Sequence, residues 1–303
     1  MAETVDARSY GIRPPGHRLP DTIRLGPVLL QVADLERSLA FYRRVLGLRP
    51  LERPARPGPA PGAALAAPGA DEPLVELVER PDAAPVPRRG RLGLYHFAIK
   101  VPDRAALGRL LAHLAANGVP VGMADHLVSE AVYLADPDGL GIEVYADRPR
   151  GEWRRDGREL VMTTEPLDAE AVLRAGRGEP WTAMPPGTVI GHVHFSVGSL
   201  ETAADFYHRG LGFDKVVWSY PGALFLSVDG YHHHVGLNTW AAGAPPAGEG
   251  DARLLEWTLI LPGAEDLGAV ARSLGEAGHA VSRPGRDVVA DDPWGTRVRL
   301  TTD

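Results

Sequence analysis

Two histidines, His96 and His192, and one glutamate, Glu143, fall at equivalent places in a repeated strand pattern, and together they form a donor set for a divalent metal. Two neutral imidazoles and a carboxylate hold Fe(II) or Mn(II) on one face and leave the remaining coordination positions open for substrate and O2. The chain contains no cysteine, so thiolate sites, disulfides and thiol chemistry are excluded and any transition metal falls to His, Asp or Glu. A second cluster, "DGYHHHVGLNTW" from Asp229 to Trp240, places His232, His233 and His234 in a row inside what otherwise alternates like a β-strand. Imidazole, with an ordinary pKa of ~6.5, suits proton transfer at neutral pH. One of the three is a candidate acid–base group. Strand alternation sets His232 and His234 on one face and His233 on the other, and a one-residue bulge would exchange those roles.

The elements that must position these residues form repeats. "GPVLLQVADLERSLAFYRRVLGL" (Gly26–Leu48) is echoed by "GHVHFSVGSLETAADFYHRGLGF" (Gly191–Phe213). Each has an alternating strand, a capping residue (Asp34 or Ser199), an apolar helix face and a terminating glycine (Gly47 or Gly212). Weaker echoes start at Tyr95 and Leu255, and their ends match as "ADPDGLGIEVY" and "DDPWGTRVRL". The spacing predicts an α+β chain of four βαβββ modules near 25–80, 94–148, 190–241 and 254–302. Grouped by position, these give an arm at 1–21, a first domain at 22–150, a linker at 151–186 with some helix, and a second domain at 187–303.

Laying the first strands on one another puts Val28, Leu30 and Val32, and their counterparts in the other modules, on a helix-packed face. The opposite face leads with Pro27, His96, His192 and Glu256 in the four modules. The last strands add Glu143 in module two and Arg299 in module four at one shared position. A complete donor set then requires modules two and three to share one cup. Modules one and four would form a companion cup, in which a Glu256–Arg299 ion pair stands where the other holds a metal.

Composition narrows the function classes. The net charge is −7, the arginines are scattered, and no basic stripe suits a phosphate backbone, so nucleic acid is not an expected partner. No segment approaches the ~20 uninterrupted apolar residues of a membrane span. The first residues lack the apolar core of a secretory signal, so a cytoplasmic location is expected. Assembly into homo-oligomers is left open.

The modules and their ligand positions resemble the vicinal-oxygen-chelate superfamily, which includes glyoxalase I, fosfomycin-resistance and bleomycin-binding proteins and extradiol ring-cleaving dioxygenases. Four modules, with "GLYHFAIKVPDR", "DHLVSEAVYLADPDGLGIEVYADRPR" and "GYHHHVGLN", are similar to the bacterial catechol 2,3-dioxygenases from about Ile23 onward. The resemblance implies two glyoxalase/dioxygenase-like barrel domains, a non-haem Fe(II) or Mn(II) held by His96, Glu143 and His192, and a small aromatic diol opened with O2 as co-substrate. It implies His233 as the acid–base histidine, Tyr133 as a substrate-binding hydroxyl and His126 as a further pocket histidine. His194, further along the strand of His192, and His208, on a helix near the surface, have no such counterpart. The better-known four-module enzymes carry their ligands in modules three and four, whereas here they fall in two and three. The same scaffold also serves non-oxidative isomerases, hydrolases and small-molecule binding or resistance proteins, which is the alternative.

Overall fold

The computed structural model describes residues 10–53, 55, 60–87 and 89–302; of the expected arm, residues 1–9 lie outside them. Module one supplies β1 (Arg24–Val32), α1 (Leu35–Arg44), β2 (Arg49–Pro50), β3 (Gly62–Ala66) and β4 (Val75–Glu79). Module two supplies β5 (Gly93–Lys100), α2 (Arg104–Ala116), β6 (Gly122–Asp125), β7 (Ser129–Ala135) and β8 (Gly141–Asp147). Between the halves lie a short hairpin, β9 (Arg155–Asp156) with β10 (Glu159–Leu160), and α3 (Ala169–Ala175). Module three runs β11 (Val189–Ser196), α4 (Leu200–Ala204), β12 (Asp214–Val217), β13 (Ala223–Ser227) and β14 (Val235–Asn238). Module four runs β15 (Arg253–Leu261), α5 (Ala264–Glu276), β16 (Val281–Ser282), β17 (Val288–Asp291) and β18 (Arg297–Thr302).

The helices start where short polar side chains can satisfy free backbone N–H groups. Asp34 accepts from the amide of Arg37, Asp103 from that of Ala106 and Ser199 from that of Thr202. In module three the helix widens after α4 into a π turn over Asp205–Gly210, which buries Phe206 and Tyr207.

Two eight-stranded curled sheets result, and their pairing crosses the halves of the chain. One has the order β12-β13-β14-β11-β5-β8-β7-β6 and so joins modules two and three; the other, β16-β17-β18-β15-β1-β4-β3-β2, joins modules one and four. At each centre two first strands meet antiparallel, β5 with β11 and β1 with β15. Residues alternating away from the cups pack with the helices in one continuous apolar core, including Val28, Leu30, Phe97, Ile99, Phe195 and Trp257. Burial of this face pins the register, because a slip of one residue would turn every cup-facing side chain into the core. The described part of the arm lies along module three, with Ile12 bridged to Lys215 and Arg18 paired to Asp214 at 2.8 Å.

Candidate active site

The inward face of β5 carries His96 and Ala98, that of β11 carries His192 and His194, and that of β8 carries Glu143. Register brings them together: Ala98 is the cross-strand neighbour of His192 on one side and of Glu143 on the other, while His96 lies opposite His194. A methyl group at the centre leaves space above it for three longer side chains to converge. The Nε2 atoms of His96 and His192 stand 3.0 and 3.2 Å from the same oxygen, Oε2 of Glu143, and 3.3 Å from each other. All three residues are buried, and their ligating atoms fall within 4.8 Å of one another.

This donor set fits a divalent transition metal. Donors that each lie ~2.1 Å from one ion, mutually at right angles, stand about 3.0 Å apart. Burial pushes the Glu143 carboxyl upward, but the neighbouring His192 and His96 outweigh it and hold it well below the usual carboxylate range. Burial lowers His192 to about 4 against the pull of Glu143, which leaves its imidazole neutral at pH 7 with a lone pair to donate. The set therefore offers a carboxylate and the neutral nitrogen of His192, with the imidazole of His96 beside them.

Beside the triad, bordered by His96 and Glu143, lies a cavity of about 1010 Å³, at the large end of small-molecule sites. Tyr133 and His126 both line it. The Nδ1–H of His126 donates to the Thr163 carbonyl at 2.7 Å, so its Nε2 accepts from the Tyr133 hydroxyl at 2.6 Å. Burial, reinforced by the Glu143 charge, raises Tyr133 well above the usual phenol range and keeps its proton in place. Thr163, Met162 and Thr164 come from the connection between the halves, so that segment walls the cavity as well as joining the modules.

The three adjacent histidines are not in a strand. β14 starts only at Val235, after a tight turn in which Asp229 and Gly230 take φ of +53° and +59°. Strand alternation therefore does not sort these side chains. His233 faces the cavity with its ring 4.0 Å from that of His192, centre to centre. His232 is fully buried behind it, with its Nδ1 at 2.7 Å from Nδ1 of His233 and its Nε2 at 2.9 Å from Asp147. His234 points elsewhere, with its Nδ1 at 2.8 Å from the Ser227 hydroxyl. An ionised Asp147 accepts the Nε2–H of His232, whose Nδ1 lone pair then accepts the Nδ1–H of His233. This fixes the tautomer in which His233 keeps a free lone pair on Nε2. Burial raises Asp147, but its contacts with His232 and Lys100 prevail and hold it below its ordinary value.

Two histidines differ from expectation. His208 is buried rather than near the surface, its Nδ1 donating to the Phe213 carbonyl at 2.7 Å, because the π turn rolls it inward. His194 lines the cavity beside His96. Its i, i+2 spacing from His192 on one strand was the available signal. Asp147 had no local signal, since its partner His232 is 85 positions away.

The second cup has the same register and different contents. Leu29 takes the place of Ala98, being the cross-strand neighbour of both Glu256 and Glu76. Arg299 grips Glu256 through Nε at 2.7 Å and Nη2 at 2.8 Å and reaches Asp287 through Nη1 at 2.9 Å. Glu76, in "LVELVERPD", is the module-one counterpart of Glu143.

The family model of the Glyoxalase/Bleomycin resistance protein/Dioxygenase superfamily matches residues 24–144 and 189–300. The chain belongs to that superfamily. It is 44% identical over 273 residues, 89% of this chain and 93% of its counterpart, to the catechol-2,3-dioxygenase of Bacillus subtilis strain 168. Among solved structures it resembles a candidate dioxygenase from Bacillus subtilis subsp. subtilis str. 168, at 14% identity and a TM-score of 0.65 over 95% of this chain and 86% of that one. It also resembles maize glyoxalase I, at 20% identity and a TM-score of 0.55 over 92% of both chains. At these identities the two structures bear on the fold alone, and both support the α+β superfamily architecture. Among the described residues, no helix is long and apolar enough to cross a membrane.

Proposed function

We propose that this protein is an extradiol dioxygenase, an oxidoreductase that opens the ring of catechol or a substituted catechol beside the diol and places both atoms of O2 in the product. The observation that carries it is the buried convergence of His96, Glu143 and His192 at 3.0–3.3 Å beside a cavity that His96 and Glu143 line together with acid–base groups. The relative named a catechol-2,3-dioxygenase, at 44% identity over most of both chains, supports the same chemistry. His96, Glu143 and His192 would hold Fe(II), with Mn(II) the alternative. When bound, the metal supplies the redox chemistry that links the diol to O2.

The chain's own residues manage charge and protons. His233 Nε2, held as a lone pair by the chain through His232 to Asp147, takes a proton from a catechol hydroxyl and returns one when the ring opens. Burial and the surrounding imidazoles push His233 well below its ordinary value, so it is neutral at pH 7 with its Nε2 lone pair free. Asp147 and Lys100 are partly exposed and 3.4 Å apart, so the chain behind His233 ends at the solvent. Tyr133 keeps its proton and, when substrate binds, turns its O–H from His126 Nε2 to donate to a substrate oxygen as negative charge grows there. His126 orients that hydroxyl.

The test is oxygen uptake by Fe(II)-loaded protein mixed with catechol, read with the appearance of a yellow ring-opened product. Uptake of one O2 per yellow product is expected. His233→Ala should keep its metal and lose turnover by ~10²–10⁴-fold. Metal-loaded protein that consumes no oxygen with any simple catechol would overturn the proposal.

A further inference from the structure

His194 has no part in the chemistry above, yet its surroundings are built for a ligand. It follows His192 by two positions on β11 and lies cross-strand from His96, with their rings 4.9 Å apart, so it stands one step from the triad along the cup. Only 4% of it is exposed, it lines the cavity, and its Nε2 is buried without a hydrogen-bond partner among the described residues. Such a nitrogen is costly to hold dry unless something it binds completes its hydrogen bond.

The neighbours fix the ring without bonding it. Gly236 on β14 supplies the floor: a Cβ there would meet Cγ of His194 at 2.8 Å, so the absence of a side chain is what admits the imidazole. Tyr95, Phe225 and Trp240 close around it with ring centres at 5.2, 5.7 and 5.8 Å. Ser196, the next residue on this face, also lines the cavity and donates its hydroxyl to Asn238 Oδ1 at 3.3 Å. From His192 the strand thus continues as a polar pair, His194 and Ser196, along one wall of an aromatic-lined cavity.

We propose that His194 is a specificity-determining residue whose Nε2 hydrogen-bonds a polar substituent on the catechol ring, which makes the substrate class substituted catechols bearing a hydroxyl or similar group. This rests on the dioxygenase proposal. An imidazole can donate or accept according to tautomer, and a hydroxyl can do either, so the pair is self-adjusting.

The probes are 3- and 4-(hydroxymethyl)catechol, each set against the methylcatechol of the same position. Each is assayed for kcat/KM with the Fe(II) protein and, without turnover, for Kd by titration calorimetry on anaerobic Zn(II)-loaded protein. A site built to hydrogen-bond a substrate hydroxyl discriminates against the analogue that lacks it, so wild type should prefer the hydroxymethyl member of at least one pair by about tenfold or more. His194→Leu should erase that ratio in both measurements, and His194→Asn should restore part of it. Because each ratio is taken within one protein, partial loss of folding cancels. Equal affinity of wild type for both members of both pairs, or an unchanged ratio in His194→Leu, would overturn the inference. Wild type that binds the probes but opens none would instead overturn the dioxygenase proposal, and the calorimetric ratio would still decide the role of His194.

Discussion

The two cups share a strand order and a register but use them in opposite ways. In the cup of modules two and three, a small residue, Ala98, sits between His192 and Glu143, and Gly236 leaves room for His194. In the cup of modules one and four, Leu29 sits between Glu256 and Glu76, and Arg299 stands on β18 where Gly236 stands on β14. One centre gathers lone pairs without supplying a cation, whereas the other supplies its own in the guanidinium of Arg299. The two scaffolds share one register, and exchanges such as Ala98 for Leu29 and Gly236 for Arg299 give them different centres.

The largest contrast comes from removing one charged group from each cup. Substitution of groups that merely support metal ligands costs ~10–100-fold in metal affinity, so Glu143→Ala, which removes a proposed ligand itself, should weaken Fe(II) binding by more than about 100-fold. Arg299→Ala should leave the metal content of the protein unchanged, as read by elemental analysis. It removes a two-point ion pair to the buried Glu256, and breaking a buried pair of this kind should cost about 3 kcal/mol in a denaturant titration. Equal loss of metal in both variants would erase the distinction between the cups.

A smaller effect should follow from copying the second cup into the first. Ala98→Leu puts bulk where the three donors converge, and overpacking of this kind costs ~1–3 kcal/mol in stability. Metal affinity should fall while the far-ultraviolet circular dichroism spectrum stays that of wild type. Full metal affinity in Ala98→Leu would show that space above Ala98 is not what assembles the triad.

The smallest effect is the pH dependence set by His234, behind the open cup. Burial, followed by the charges of His232 and Lys100, lowers this imidazole to about 3. An unfolded histidine takes up its proton below ~6.5, while the folded one stays neutral until far lower pH, so acid favours unfolding across that window. Metal-free His234→Gln should therefore lose about 2 kcal/mol less than wild type between pH 7 and pH 5 in chemical denaturation. Parallel pH curves for the two proteins would show that His234 is not held neutral.

Much of this contrast is legible in the sequence because strands alternate and the modules repeat. His96, His192, Glu256, Glu143 and Arg299 can be assigned to their cups from repeat position alone, and the structure places Arg299 on Glu256 as that position predicts. Glu76 was not assigned from the sequence, because "LVELVERPD" parallels "IEVYADRPR" only loosely and the match shows once the strands are paired. What the pattern could not settle lies where alternation stops. His232 and His233 stand in an irregular turn, so the bond between their rings and the contact of His232 with Asp147 depend on tertiary packing. Thr163 reaches the site from the connection between the halves, which carries no repeat to align.

The most direct measurement is oxygen uptake with excess catechol as Fe(II) is added stepwise to metal-free protein under anaerobic loading. The rate should rise linearly and break sharply at one Fe(II) per chain, because among the described residues only His96, Glu143 and His192 present such a donor set. A break at two equivalents, or full metal loading with no oxygen consumed, would contradict the account.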